Sequence, residues 1–197
     1  MTSKVQNRDC PKLAIRPLTP ERWDDVVELF GKRGACGGCW CMAPRLSRKD
    51  CEQGKGSLNR RRFRTIVKRG EEPGVIAYHG PKPVGWCAIA PREVFISLTN
   101  SRVLKPVDDK PVWSVTCLFI AREYRRRGVS SQLLEGAVTF ARKKGAKIVE
   151  GYPVLPKMDP MPDVFAWMGL PGSFEKAGFT EVHRHSPSRP IMRRVIR

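Results

Sequence analysis

The sequence predicts an α/β domain, and three observations carry that prediction. An apolar run at 112–120, VWSVTCLFI, leads through a basic glycine turn into an amphipathic helix over 129–144, and a second β-rich run, AKIVEGYPV, follows at 146–154. Upstream, GVIAYHGPKPVGWCAIAPR at 74–92 has the apolar pattern and the central turn of a hairpin. Downstream, 173–177 reads as a short helix stopped at Gly178, with strands at 179–183 and 191–196 closing as an antiparallel pair. Strand, helix and strand in that order, flanked by hairpins, describe a sheet that carries helices.

The remaining elements follow from local pattern. Leu13, Ile15 and Leu18 alternate with polar residues and suggest a short strand. Thr19 is then placed to cap a helix with Pro20 at its first position, and Trp23, Val26, Val27 and Phe30 mark one face of that helix, which ends near Gly31. The stretch 34–44, GACGGCWCMAP, is too rich in glycine for regular structure and reads as a loop. A second helix is expected over 57–69, with Leu58, Phe63, Ile66 and Val67 apolar and Arg60, Arg61, Arg62, Arg64, Lys68 and Arg69 forming a solvated basic face. In the hairpin, Val75, Ile76 and Tyr78 pair with Val84, Trp86, Ala88 and Ile89 across Gly80-Pro81-Lys82-Pro83. The connection 91–111 holds Val94-Phe95-Ile96, which is either a helical turn or a lid. In the helix after the basic turn, Leu133, Leu134, Ala137, Val138 and Ala141 face the sheet, and Gly145 stops it. The proline-containing stretch 153–171 is expected to be an ordered surface excursion packed by Phe165, Trp167 and Met168.

A chain of 197 residues suits one domain, 13–197, preceded by a tail at 1–12. With 41% hydrophobic residues it has the composition of a globular protein, not a disordered one. It holds no apolar run of the ~20 residues a membrane span requires, and MTSKVQNRDC lacks the apolar core of a signal peptide, so a cytoplasmic location without a membrane partner is expected. Seven cysteines, an odd number, point to reduced thiols, with Cys87 and Cys117 acting as small core hydrophobes in strands. Against 19 acidic residues stand 37 Lys and Arg, a formal net charge of +18 that attracts polyanions. An acidic substrate, nucleic acid, an acidic protein partner and a solvation habit of the source organism all account for it.

The densest signal lies in Arg125-Arg126-Arg127-Gly128-Val129-Ser130-Ser131. Gly128 lets the backbone turn sharply into a helix whose first N–H groups have no intrahelical acceptors. Those donors, the positive end of the helix dipole and three forked guanidinium groups together favour a phosphate. The pattern is neither a Gly-Lys-Ser/Thr phosphate loop nor a GxGxxG dinucleotide turn. It resembles the Arg/Gln-x-x-Gly-x-Gly/Ala pyrophosphate loop of the GNAT acyltransferase superfamily, with Ser130 where Gly or Ala is usual. The string SFEKAGFTEVHR at 173–184 is similar to that superfamily's fYeklGF signature, and the hairpin matches its second and third strands.

This resemblance implies a mixed, twisted sheet with helices on both faces, splayed between the fourth and fifth strands. It implies acetyl-CoA as co-substrate. Main-chain groups of Leu118, Phe119 and Ile120 would pair with the pantetheine arm, while amides from Arg126 to Ser131, with the Arg125, Arg126 and Arg127 side chains, would hold the pyrophosphate. The loop between the first two helices commonly helps form the acceptor pocket in the superfamily, which makes Trp40 and Met42 candidate wall residues. The superfamily's base positions on the fourth strand are occupied by Ser114 and Thr116, and neither is a base near neutral pH. Its acidic tyrosine is replaced by Phe174. Glu150, at the end of the fifth strand, is the first candidate for the base and Glu93 the next; Ser173 is the candidate proton donor.

Cys36, Cys39, Cys41 and Cys51 are four thiols within 16 residues, counting inclusively. Zinc binding, a reactive or substrate-lining thiol and plain loop packing are the three readings, and the spacing is not the paired CxxC of a zinc ribbon, so no metal is expected. The expected activity is N-acetyl transfer to a primary amine, with a small-molecule acceptor ahead of a protein or peptide. The rival from another class is a noncatalytic module binding acyl-CoA or nucleic acid. A monomer or a homodimer would serve either.

Overall fold

The computed structural model describes residues 10–156 and 166–196. A seven-stranded sheet runs through the molecule in the order β1-β2-β3-β4-β5-β7-β6. Its strands are β1 (Ala14–Pro17), β2 (Gly74–His79), β3 (Lys82–Pro91), β4 (Trp113–Ile120), β5 (Ile148–Gly151), β6 (Thr180–Ser186) and β7 (Arg189–Val195). Neighbours are antiparallel except β4 and β5, which are parallel. That one parallel pair follows from the chain between them, which crosses one face of the sheet as a helix; a parallel return demands such a crossover.

The helices are α1 (Trp23–Phe30), α2 (Arg48–Gln53), α3 (Ser57–Lys68), the single turn α4 (Ile96–Thr99), α5 (Val129–Lys143) and α6 (Pro171–Lys176). On one face, α5 and α6 bury Leu133, Leu134, Ala137, Val138 and Phe174 against Val75, Cys87, Ile89 and Val115. On the other, α1, α3 and the loop between them bury Trp23, Phe30, Trp40 and Phe63 against Ile76, Tyr78 and Trp86. Covered on both sides, β3 is buried at every residue from Pro83 to Ala90. Both faces of a central strand can be apolar only under that condition.

Several local expectations needed adjustment. The hairpin turn is shorter than expected: β3 already begins at Lys82, and Tyr78 pairs with Pro83. Thr19 is extended and precedes a 3-10 turn, Pro20–Arg22, and its hydroxyl accepts from Arg22 Nη1 at 3.1 Å instead of capping main chain. Val94-Phe95-Ile96 joins the 3-10 turn Arg92–Val94 to α4, with Phe95 fully buried, so this stretch packs as a helical turn. The helix α2 has a polar sequence with no apolar period; Ser47 caps it by accepting from the Asp50 N–H at 3.1 Å. Phe165 lies outside the described residues, whereas Met168 is buried and Trp167 half exposed. No helix among the described residues is long and apolar enough to cross a membrane.

Candidate active site

The parallel pairing of β4 with β5 runs from Trp113 opposite Val149 to Val115 opposite Gly151 and goes no further. At the same place the β3–β4 register steps from Ala88 opposite Cys117 to Ile89 opposite Val115, so Thr116 is the extra residue of a bulge. The bulge thus sits where the β4–β5 pairing ends, the place at which the resemblance implied a splay. Thr116 Oγ1 is buried there with no hydrogen-bond partner among the described residues. Beyond it, the Leu118 N–H donates to the Trp167 carbonyl at 2.7 Å, and the Val154 N–H donates to Gly169 at 3.0 Å. The main-chain donor expected to meet a pantetheine arm is thus engaged by the protein's own returning chain. Phe119 and Ile120 continue the pairing with Trp86 and Gly85 of β3.

The strand runs out through the 3-10 turn Arg122–Tyr124 into the basic loop. That turn is held by an ion pair from Lys82 to Glu123 at 2.9 Å and by Tyr124 Oη lying 3.1 Å from His79 Nδ1. Arg126 (φ 59°) and Gly128 (φ 75°) are both left-handed. For Gly128 this costs nothing, but for arginine it is a strain of about 1 kcal/mol or more. The two reversals bring the chain directly into α5, whose first amides, Val129, Ser130 and Ser131, have no acceptor within the helix. Arg125 Nε donates to the Ile120 carbonyl at 2.9 Å, the Arg127 guanidinium lies 5.6 Å from the Tyr124 ring centre, and Arg126 is exposed. The end of the expected tail is docked here: Gln132 Nε2 donates to Pro11 O at 2.8 Å, and the Leu13 N–H donates to Gln132 Oε1 at 3.3 Å.

Glu150 is fully buried, and both of its carboxylate oxygens accept from the protein's own side chains. Its Oε2 accepts from Arg193 Nε at 2.6 Å, and its Oε1 accepts from Tyr152 Oη at 2.6 Å and Arg92 Nη1 at 3.2 Å. Arg193 also grips Asp108 at 2.7 and 3.0 Å, and Arg92 reaches the carbonyls of Leu98 and Leu104. Burial first, then the Glu150 charge, pushes the Tyr152 phenol above its ordinary range, so it stays a donor. The network pins the 92–108 connection to β5 and β7, and Glu150 acts as its counter-ion. Ser173 Oγ lies 2.8 Å from Ser130 Oγ, which ties α6 to the first turn of α5. Phe174 is fully buried edge-on to Phe179, and a Cβ added at Gly151 would enter its ring.

Trp40 and Met42 do not stand at an open wall. Trp40 stacks on Trp23 at 6.2 Å and meets Phe30 edge-on at 5.7 Å, and Met42 is buried in the same cluster. A large ring beside a half-formed core gains most by turning inward. On the outer side of α3, Arg60 and Arg64 lie over the Trp40 and Trp23 rings, so that basic face is not wholly given to water. The four loop thiols take different environments, with Cys39 half-buried near Cys36 and Cys41. Cys36 is exposed, Cys51 packs against Asn59, and Cys41 turns into the sheet, where its Sγ accepts from Trp86 Nε1 at 3.1 Å. Among the described residues no group of three or more His, Cys, Asp or Glu is placed to hold a metal. Glu93 lies in the 3-10 turn after β3, with no buried side chain in that turn.

A mixed sheet whose fourth strand feeds a basic turn and a helix N-terminus is the arrangement that the resemblance of the sequence implied. Residues 41–154 match the Acetyltransferase (GNAT) family, more than half of the chain, and the chain belongs to that family. It is 26% identical over 136 residues to an uncharacterized N-acetyltransferase of Methanocaldococcus jannaschii, covering 69% of this chain and 51% of that one. The chain therefore spans about half the length of the curated relative it matches. Among solved structures it is similar to the PaiA N-acetyltransferase of Thermoplasma acidophilum in complex with coenzyme A, with 16% identity, coverage of 94% and 99%, and a TM-score of 0.52. A GNAT-family acetyltransferase of Streptococcus agalactiae gives 11%, coverage of 94% and 96%, and 0.54. At such identities the likeness is one of fold.

Proposed function

We propose that this protein is an N-acetyltransferase that moves an acetyl group from acetyl-CoA to a primary amine of a small molecule. The observation that carries the reading is the end of the β4–β5 pairing at Thr116, together with the left-handed turn at Arg126 and Gly128 and the first turn of α5, whose amides have no acceptor within the helix. An arm as long as pantetheine needs a gap between strands, and a pyrophosphate needs converging amides at its far end. In this reading the amides from Arg126 to Ser131 take the pyrophosphate, with Arg125, Arg126 and Arg127 beside it. The Trp167 carbonyl leaves Leu118 when the arm arrives. A compact acceptor is favoured because the sheet face beside the bulge is packed with rings from Phe30, Trp86 and Phe119.

Calorimetry with acetyl-CoA tests this. The wild-type protein should give saturable heat, and Arg126→Glu/Arg127→Glu should lose most of it, since each charge-assisted bond contributes about 1.5–3 kcal/mol. No heat from the wild type would overturn the reading. Two observations favour a noncatalytic coenzyme-binding module: the Leu118 amide is already paired, and Glu150 is already held in ion pairs with Arg92 and Arg193. Saturable binding without acetylation of any amine or peptide would select it.

A further inference from the structure

Beside β5 the buried charges are matched: Arg92 and Arg193 hold Glu150, and Arg193 also holds Asp108. Arg189, the first residue of β7, is different. It is half-buried, and among the described residues it forms no ion pair. Its Nη2 is set against the Met168 sulfur at 2.6 Å. A thioether is a weak, uncharged acceptor. Burial holds the guanidinium below the ordinary arginine range, with no acidic neighbour acting in the other direction, and a guanidinium so placed still carries its charge. A charge drawn partly out of water is unfavourable until an anion meets it.

Arg189 stands close to the end of the β4–β5 pairing. Past Gly151 the chain is tied to both neighbouring segments, since the Val154 N–H donates to Gly169 and the Leu155 N–H to Ser188, each at 3.0 Å. Ser188 precedes Arg189, and Met168 follows Trp167, whose carbonyl accepts from Leu118 of β4. Strand alternation fixes the face. Met192 packs in the core beneath α5, and Arg194 donates to the Ala177 carbonyl at the end of α6. Ile191 and Arg193 take the other face, where Ile191 clusters with Tyr152 and Met168, and Arg189 falls in step with them. A coenzyme whose phosphates lie at the start of α5 comes from the α5 side. The acceptor must then reach the thioester from the opposite face, the one that Arg189 occupies. We propose that Arg189 recognises the acceptor and that the acceptor is an amine carrying a carboxylate, a proposal that rests on the acetyltransferase reading above.

The planar fork of a guanidinium matches the two oxygens of a carboxylate. One arginine balances one negative charge, which favours a carboxylate over a phosphate dianion. The formal net charge of +18 acts in the same direction, because it draws anions and repels polycationic amines. Turning from Met168 to a carboxylate exchanges a weak acceptor for a strong one. The carboxylate lies away from the reacting nitrogen, so the contact is made equally in the ground state and the transition state, and it acts on KM more than on kcat.

Matched acceptors decide the proposal, with coenzyme A release as the readout: glycine against methylamine, β-alanine against ethylamine, and phenylalanine against phenethylamine. The intact wild-type protein should prefer a carboxylate-bearing member over its plain partner by about tenfold to a hundredfold in kcat/KM. Arg189→Gln should bring that ratio close to one through KM, and Arg189→Lys should restore part of it. A merely structural hold on Met168 would slow both members alike and leave the ratio standing, which overturns the proposal. A wild type that takes the plain amines equally well, or that gives acetyl-CoA heat and acetylates no carboxylate-bearing amine, overturns it too, without touching coenzyme binding. Missing acetyl-CoA heat in the wild type would instead sink the transferase reading and this proposal with it.

Discussion

Replacing Glu150 by glutamine separates a counter-ion from a catalytic base. The carboxylate is fully buried and receives Arg193 and Tyr152 at 2.6 Å each and Arg92 at 3.2 Å. Glutamine keeps the shape but removes the charge, and its amide must set an N–H against one of these donors. Breaking a buried ion pair costs about 3–5 kcal/mol, because the remaining charges stay desolvated. Arg193 keeps Asp108 and Arg92 keeps two carbonyls, which sets the cost at the lower end, about 3 kcal/mol. For a domain of this size that is a fall in Tm of roughly 6–12 °C. The assay pairs urea denaturation with acetyl-CoA turnover measured far below the new Tm. A counter-ion gives a large loss of stability with kcat largely kept. A fall in kcat of about a hundredfold at unchanged stability would identify Glu150 as the base and refute the reasoning.

Other expectations follow from the same contacts. Gly151→Ala drives a Cβ into the Phe174 ring and should destabilise by about 1–3 kcal/mol in urea denaturation, an overpacking cost that Phe174→Leu in the same chain relieves in part. Asp108 is held below the usual carboxylate range, first by its hydrogen bonds from Arg193. Its contribution is therefore full above the unfolded value of about 3.9 and lost as pH falls through the lower folded value, so the stability gap between wild type and Asp108→Asn should shrink only in acid. A gap that widened in acid would contradict that sign. In the free protein the Leu118 amide should exchange slowly with solvent, because Trp167 accepts from it; deleting 166–168 should speed its exchange.

The parts of this molecule written in local pattern were legible in the sequence. The 112–144 strand, turn and helix, the hairpin and the closing pair each follow from periodicity and glycine placement, and the observed bounds differ by one or two residues at most elements. Short polar α2 was not legible, since its one buried side chain, Cys51, gives no period. The fate of Trp40 depended on Trp23 and Phe30, which only tertiary packing brings to it. The ion pairs of Glu150 were not legible because Arg92 and Arg193 stand 58 and 43 residues away in sequence. Arg92, Asp108 and Arg193 therefore escaped notice. No spacing rule links residues that meet across a sheet.

The most direct test of the account is to follow backbone amide resonances while acetyl-CoA is added. If the coenzyme enters between β4 and β5, the Leu118 amide and those of Val129, Ser130 and Ser131 should shift together and saturate at one concentration, and the Trp167 environment should change with them. Shifts confined to the basic face of α3, with Leu118 and the start of α5 unmoved, would contradict it.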